Sequence, residues 1–336
     1  MRHDDSGQTR WAVAASLGVL TVGVLMATGA LSEPDDDSAG GRAAGQAAAT
    51  AASGSDAADQ WPLVFLEDFS GKALNTERWT AEFAAPSRDP SELSCATPQN
   101  VAVADGSVDL LATEGPEACP GGKNRSYGAA TLRTRGKFSS AFGRFVVRAK
   151  VAPGSGVRST VSLLPTQEPY GKDGLSGELT LLDVDGSDPS MVVGRASWAE
   201  PGCGDGCSSE SASTALSDGG DGFHTFELRW SPTALIWSVD GEPFLELGEG
   251  GSARWGSAHP GTLPDGLAAP LYPAPFDGSN PMYLVLSTTV GDDWVRPPGD
   301  NPELADDNPE LPAAFTVDSV RVYAPEGAAD NAPSSP

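Results

Sequence analysis

The run Glu178-Leu179-Thr180-Leu181-Leu182-Asp183-Val184-Asp185 alternates polar and apolar residues with the period of two of a β-strand, then slips phase at Leu181-Leu182. One extra residue in the strand, a β-bulge, brings the polar positions back onto one face. Glu178 and Asp183 then stand side by side on that face. Two carboxyls on a rigid strand are the minimum equipment for cleaving a glycosidic bond. The competing reading is a solvent-facing edge strand with ordinary acidic residues.

The rest of the chain from Trp61 has the same texture. Short apolar runs such as Phe145-Val146-Val147, Leu235-Ile236-Trp237 and Tyr283-Leu284-Val285-Leu286 alternate with turn residues, and 40 Gly and 28 Pro punctuate them. This spacing predicts an all-β sandwich or barrel. Asp105-Gly106 and Asp240-Gly241 fall between strand-like runs and predict tight hairpins. No segment shows a sustained helical period. The pentapeptide DNPEL occurs at 300–304 and 307–311, which reads as an expanded loop.

Of 336 residues, 46 are acidic and 21 basic, a formal net charge of −25. Repulsion on that scale argues against nucleic acid and anionic membranes as partners, and more weakly against sulfated or uronic polysaccharides. Residues 11–31 are uncharged and largely apolar behind Arg2 and Arg10. Twenty-one such residues can span a bilayer, and Thr28 and Ala30 also suit a signal-peptidase site. Either a cleaved signal or a retained anchor exports the remainder of the chain, so membrane contact is expected only through this segment. Residues 32–59 lack Leu, Ile, Val and aromatics and predict a disordered linker. The domain is expected over 60–325 as a monomer, with a disordered tail at 326–336. Cys95, Cys119, Cys203 and Cys207 come after the export segment; three pairings are open, and proximity favours Cys95–Cys119 with Cys203–Cys207.

From about Trp61 to Tyr323 the chain resembles the family-16 glycoside hydrolases, in particular their laminarinase-like endo-β-1,3-glucanases. The matching pieces occur in order: Phe65-Leu66-Glu67-Asp68-Phe69 with Leu74 to Trp79, Ser91-Glu92-Leu93, Tyr127, Thr134 to Phe138, Phe142 to Phe145, and Ser176-Gly177-Glu178. They continue through Phe223 to Phe226, Trp237 to Gly241, Val290-Gly291 with Trp294, and Val317 to Tyr323. The resemblance implies a concanavalin A-like β-jelly-roll sandwich of two antiparallel sheets. One of these sheets would be concave and hold a glycan cleft. It implies a retaining mechanism on a neutral β-glucan, with Glu178 as nucleophile and Asp183 as acid/base and no cofactor for catalysis. It also implies a structural calcium held by Asp68, the Gly106 carbonyl and Asp318.

The chain departs from the family's Glu-x-Asp-x-x-Glu motif at two of three positions. Thr180 replaces the Asp that orients the nucleophile, and Asp183 replaces the acid/base Glu. Arg158-Ser159 and Ser162 stand where the family commonly has Trp-Pro and a further Trp. The remaining candidate substrate contacts are Glu92, Tyr127, Arg158, Ser162, Trp198 and Trp294. Asp is one methylene shorter than Glu, which withdraws the carboxyl by roughly an ångström from the separation of about 5–5.5 Å a retaining pair needs. Three readings remain open: a weakened extracellular hydrolase, a catalytically silent polysaccharide-binding relative, and a structural envelope protein.

Overall fold

The computed structural model describes residues 60–85, 92–122, 124–170, 175–198, 208–248, 275–291 and 311–330. The export segment, the linker, Cys203, Cys207, Trp294 and both DNPEL copies except Leu311 lie outside the described residues. Among those described, no helix is long and apolar enough to cross a membrane.

The described chain is built from strands. They run β1 (Leu63–Glu67), β2 (Thr80–Ala81), β3 (Ser94–Ala96), β4 (Val101–Ala104), β5 (Ser107–Ala118), β6 (Asn124–Ala129), β7 (Thr131–Arg133), β8 (Ser139–Ser140), β9 (Gly143–Lys150) and β10 (Val157–Pro165). They continue as β11 (Glu178–Asp185), β12 (Met191–Trp198), β13 (Ser208–Ala215), β14 (His224–Trp230), β15 (Ala234–Val239), β16 (Glu242–Gly248), β17 (Met282–Val290), β18 (Ala313–Tyr323) and β19 (Ala329–Asp330). One sheet has the order β16-β15-β14-β9-β18-β5-β6-β3, with β1 beside β18 and β4 beside β5. The other has the order β13-β12-β11-β10-β17-β7-β2, with β8 joining β17 to β19. Pairing is antiparallel except between β3 and β6. The expected sandwich of two antiparallel sheets is therefore the observed architecture.

Alternation explains the layering. In β14, His224, Phe226, Leu228 and Trp230 are buried while Thr225, Glu227 and Arg229 are not. In β17 the even positions from Met282 to Val290 face the core beside Leu163, Leu179 and Leu182. Burial of these apolar faces, at about 25 cal/mol per Å², is what holds the two sheets together. Both Asp-Gly pairs make tight turns as expected: Asp105 and Gly106 have φ of 52° and 77°, Asp240 and Gly241 of 51° and 87°. Cys95 and Cys119 form the expected disulfide, tying β3 to the end of β5.

The tail differs from the expectation. Ala329 and Asp330 pair with Ser140 and Ser139, so the fold extends past residue 325 into the stretch predicted to be disordered. The Ala328 carbonyl accepts a hydrogen bond from the Ala141 amide, 2.9 Å away. Composition alone does not reveal such an edge pairing, because its energy lies in backbone groups that every residue carries.

The bulge is present where the phase slip placed it. Across β10 and β11, Val161 faces Leu182 but Ser162 faces Thr180, leaving Leu181 as the extra residue. On the other side Thr180 faces Arg195 and Asp183 faces Val193. Trp237, from the opposite sheet, donates its indole N–H to the Thr180 carbonyl at 2.8 Å. The ladder is disrupted at a bulge, and this cross-sheet bond supplies a partner there. Gly194 lies beneath the same indole, where a Cβ would stand 2.8 Å from Trp237 Cδ1. Trp237→Phe keeps the ring but leaves a buried carbonyl short of a donor. It is expected to cost about 1–2 kcal/mol, read from a urea melt.

Candidate functional site

The bulged strand β11 lies inside the second sheet between β10 and β12, and its polar face looks away from the core. An open cleft of about 320 Å³ covers that face. It is lined by Glu92, Arg158, Thr160, Ser162, Glu178, Thr180, Arg195, Ser197, Ser287 and Thr289. The register accounts for this set: Thr160 faces both Asp183 and Ser287, Ser162 faces Thr180, and Glu178 faces Ser197. No aromatic side chain is among these lining residues.

Gly177 delivers Glu178 to the cleft. Its φ is +97°, and a Cβ there would come within 2.5 Å of Pro275 Cγ. Gly177→Ala is expected to cost about 1–2 kcal/mol in a urea melt and to displace the following carboxyl. At the cleft floor the Ser162 hydroxyl donates to Glu178 Oε1 at 2.9 Å. The Thr180 hydroxyl stands 3.5 Å from the same oxygen, at the outer limit of a hydrogen bond. Burial raises the Glu178 carboxyl above the usual range, opposed by the Ser162 bond and the Arg158 charge; Asp183 adds repulsion, and Arg195 opposes it. A nucleophile must be ionised to attack, and this environment works against ionisation.

Asp183 shares the cleft side but is 0% exposed. Arg158 holds it side-on: Nε donates to Oδ1 and Nη2 to Oδ2, each at 2.7 Å. Arg195 Nη2 approaches Oδ2 at 3.5 Å. The carboxyl expected to serve as acid/base thus sits under a guanidinium. A bidentate pair of this kind occupies both carboxylate oxygens with N–H donors. A general acid needs the reverse, a protonated oxygen within reach of the leaving group.

The other expected contacts divide. Glu92, Arg158 and Ser162 line the cleft, so the structure brings them together with Glu178. Trp198 does not join them. It is 8% exposed, its ring meets Phe276 edge-on at 6.4 Å, and it faces between the sheets. The alternation of β12 contained this answer: Val192, Gly194, Ala196 and Trp198 share the buried face, and Val193, Arg195 and Ser197 the cleft face. Tyr127 lies on β6, in the other sheet, partly buried against the core, and does not line the cleft. Arg195, Thr160, Ser197, Ser287 and Thr289 were not among the expected contacts. Counting by twos from Glu178 and Ser162 across neighbouring strands would have found them only with the register in hand.

The calcium positions lie near one end of the first sheet, since β18 pairs with both β1 and β5 there. Their surroundings do not suit a cation. Asp318 Oδ1 is 3.3 Å from Arg148 Nη1, and Asp68 Oδ1 accepts the Ser70 amide at 3.1 Å. That hydrogen bonding, from the Ser70 side chain and amide, holds the Asp68 carboxyl below its usual range, and the Arg321 charge adds to it. The Arg148 guanidinium already engages Asp318 and the Arg321 charge acts on Asp68, so both carboxyls have cationic neighbours of their own and the residues present fit the ion poorly. Among the described residues no three His, Cys, Asp or Glu side chains gather at one point.

A family model for glycosyl hydrolases family 16 matches residues 91–302. The chain belongs to that family. A glucan endo-1,3-beta-glucosidase A1 of Niallia circulans is 29% identical over 279 residues, covering 78% of this chain but only 37% of that protein. The chain is also 30% identical over 172 residues to a beta-1,3-glucan-binding protein of Penaeus monodon, covering 48% of this chain and 46% of the other. Among solved structures, the catalytic domain of an endo-1,3-beta-glucanase (laminarinase) from Thermotoga petrophila superposes with a TM-score of 0.63 at 23% identity. The superposition covers 80% of this chain and 99% of that one, and supports the sandwich fold. Family-16 relatives thus include both glucanases and glucan-binding proteins.

Proposed function

We propose that this family-16 domain binds a polysaccharide of the β-glucan class outside the cell without hydrolysing it. The observation that carries the reading is the side-on Arg158–Asp183 pair. It withholds the second carboxyl from proton transfer, while Thr180 leaves Glu178 without the acidic neighbour the family's motif supplies. Binding needs neither function; it needs a cleft of hydrogen-bonding groups, and hydroxyls of Thr160, Ser162, Thr180, Ser197, Ser287 and Thr289 line this one. Export is supported by the apolar segment 11–31 and by the Cys95–Cys119 disulfide.

A hydrolytic reading keeps one observation of its own. Glu178 remains at the cleft floor with a hydroxyl donor on Oε1. A retaining β-1,3- or mixed-linkage glucanase would then require Arg158 to leave Asp183 on substrate binding. Incubation of the full chain with laminarin, lichenan and agarose separates the readings. Retardation in affinity electrophoresis with no new reducing ends is the expected result. Product that disappears in Glu178→Gln would overturn it in favour of the hydrolase. Neither product nor retardation would leave the structural envelope reading.

A further inference from the structure

Arg133, Arg158 and Arg195 lie on the outer face of the second sheet, and Arg135 comes just after β7 with its guanidinium 5.6 Å from the Tyr283 ring centre. Glu82, Glu92, Glu178 and Asp183 lie among them. Within this group the cations are engaged to different degrees. Arg158 is held side-on by Asp183. Arg133 Nε stands 3.7 Å from Glu82. Arg195 touches Asp183 through one nitrogen at 3.5 Å, and its side chain is 30% exposed. Among the described residues it makes no other hydrogen bond.

We infer that Arg195 reads an oxyanion substituent, a carboxylate or a sulfate, on the glycan held in the cleft. This rests on the glycan-binding reading and names the chemistry of its ligand. A guanidinium has five N–H donors in a planar fork, and one long contact leaves most of them for a ligand. Arg158 already pairs side-on with Asp183, and burial works against the charge of Glu178, so these two carboxyls compensate Arg195 only in part. Thr180 faces Arg195 across the strands, and Ser197 is next on the same face of β12; both offer hydroxyls beside the fork. None of the described residues that line the cleft is aromatic, so among them discrimination comes from hydrogen bonds and charge rather than from stacking on sugar faces. The net charge of −25 opposes polyanions at long range. At about 0.15 M salt that repulsion is screened beyond about 8 Å, while a contact pair inside the cleft is screened much less.

The test is calorimetric titration of the full chain at about 0.15 M salt. The ligands are β-1,3-glucan oligosaccharides of one length, unmodified, 6-carboxylated or 6-sulfated. The expected result is binding of at least one acidic form about tenfold tighter than the neutral one, and which form wins identifies the oxyanion. Arg195→Gln should bring the acidic ligands down to the affinity of the neutral one, and Arg195→Lys should retain part of the preference. Equal affinity for neutral and acidic forms in the wild type would overturn the assignment while leaving glycan binding intact. So would an Arg195→Gln variant that melts normally and weakens all ligands alike. Binding of none of the three would remove the glycan-binding reading itself, and this inference with it.

Discussion

Arg158→Ala is expected to lower the unfolding free energy by about 3–4 kcal/mol, the usual cost of leaving one partner of a buried ion pair uncompensated. The Asp183 side chain is 1% exposed, and the Arg195 contact at 3.5 Å is too long to replace two bonds of 2.7 Å. The companion variant is Arg158→Leu with Asp183→Leu. It should recover most of the loss, because removing both charges also removes the cost of desolvating them. Urea melts of the two variants decide the matter. A single-site loss under about 1 kcal/mol would mean that water or Arg195 already satisfies Asp183. The same residue governs the proposed loss of hydrolysis. Lengthening the acid with Asp183→Glu and restoring the motif with Thr180→Asp should not by themselves produce reducing ends while Arg158 remains. The three-site variant that also carries Arg158→Leu is the one expected to show product from laminarin. Turnover in the two-site variant would show that the arginine does not block the acid.

The second large effect concerns His224, which opens β14 and lies between two carboxylates. Nδ1 is 2.7 Å from Asp240 Oδ2 and Nε2 is 2.8 Å from Asp218 Oδ1. These acids also accept backbone amides, Thr225 on Asp240 and Gly220 on Asp218, so the imidazole joins a turn and a loop to the strand. Burial alone would lower the histidine pKa, but the bonds to Asp240 and Asp218 outweigh it and hold the pKa above the ordinary value. A raised folded pKa means the protonated clamp contributes fully below the unfolded value of about 6.5 and is lost as pH rises through the folded one. The hydrogen bond from His224 holds the Asp218 carboxyl below its usual range, so its part is lost only at low pH, as pH falls through that depressed value. The clamp is therefore strongest between about pH 4 and 6.5. His224→Gln is expected to cost about 2–3 kcal/mol at pH near 5.5, with the gap to the wild type closing as pH rises through the raised histidine value. A gap that does not change with pH would mean that the imidazole is neutral throughout and acts only as a hydrogen-bond bridge. Nothing in this arrangement faces the cleft, which agrees with reading the histidine as structural rather than as an acid or base.

The parts of the site legible in the sequence are local ones. The slip at Leu181-Leu182 announces the bulge because a strand's side chains alternate strictly, so one extra residue leaves a visible mark in the pattern. Asp105-Gly106 and Asp240-Gly241 announce their turns because few residue pairs tolerate positive φ at both central positions. Trp198, expected at the ligand, obeys the same rule: the alternation of its own strand outweighs the habit of placing aromatics in sugar clefts. The tail at 329–330 leaves no mark, since its pairing rests mainly on backbone groups that every residue carries.

The amino-acid order by itself determined an all-β sandwich or barrel, a bulge at Leu181-Leu182 and the presence of Glu178 and Asp183 on one face, because these arise from period, turn chemistry and burial along the chain. What Asp183 can do was decided only in three dimensions. Its partner Arg158 lies 25 residues away on the neighbouring strand. Whether their side chains meet depends on a register that the bulge itself shifts. A carboxylate's chemistry belongs to its surroundings as much as to its residue type, and those surroundings come into being when the strands pair.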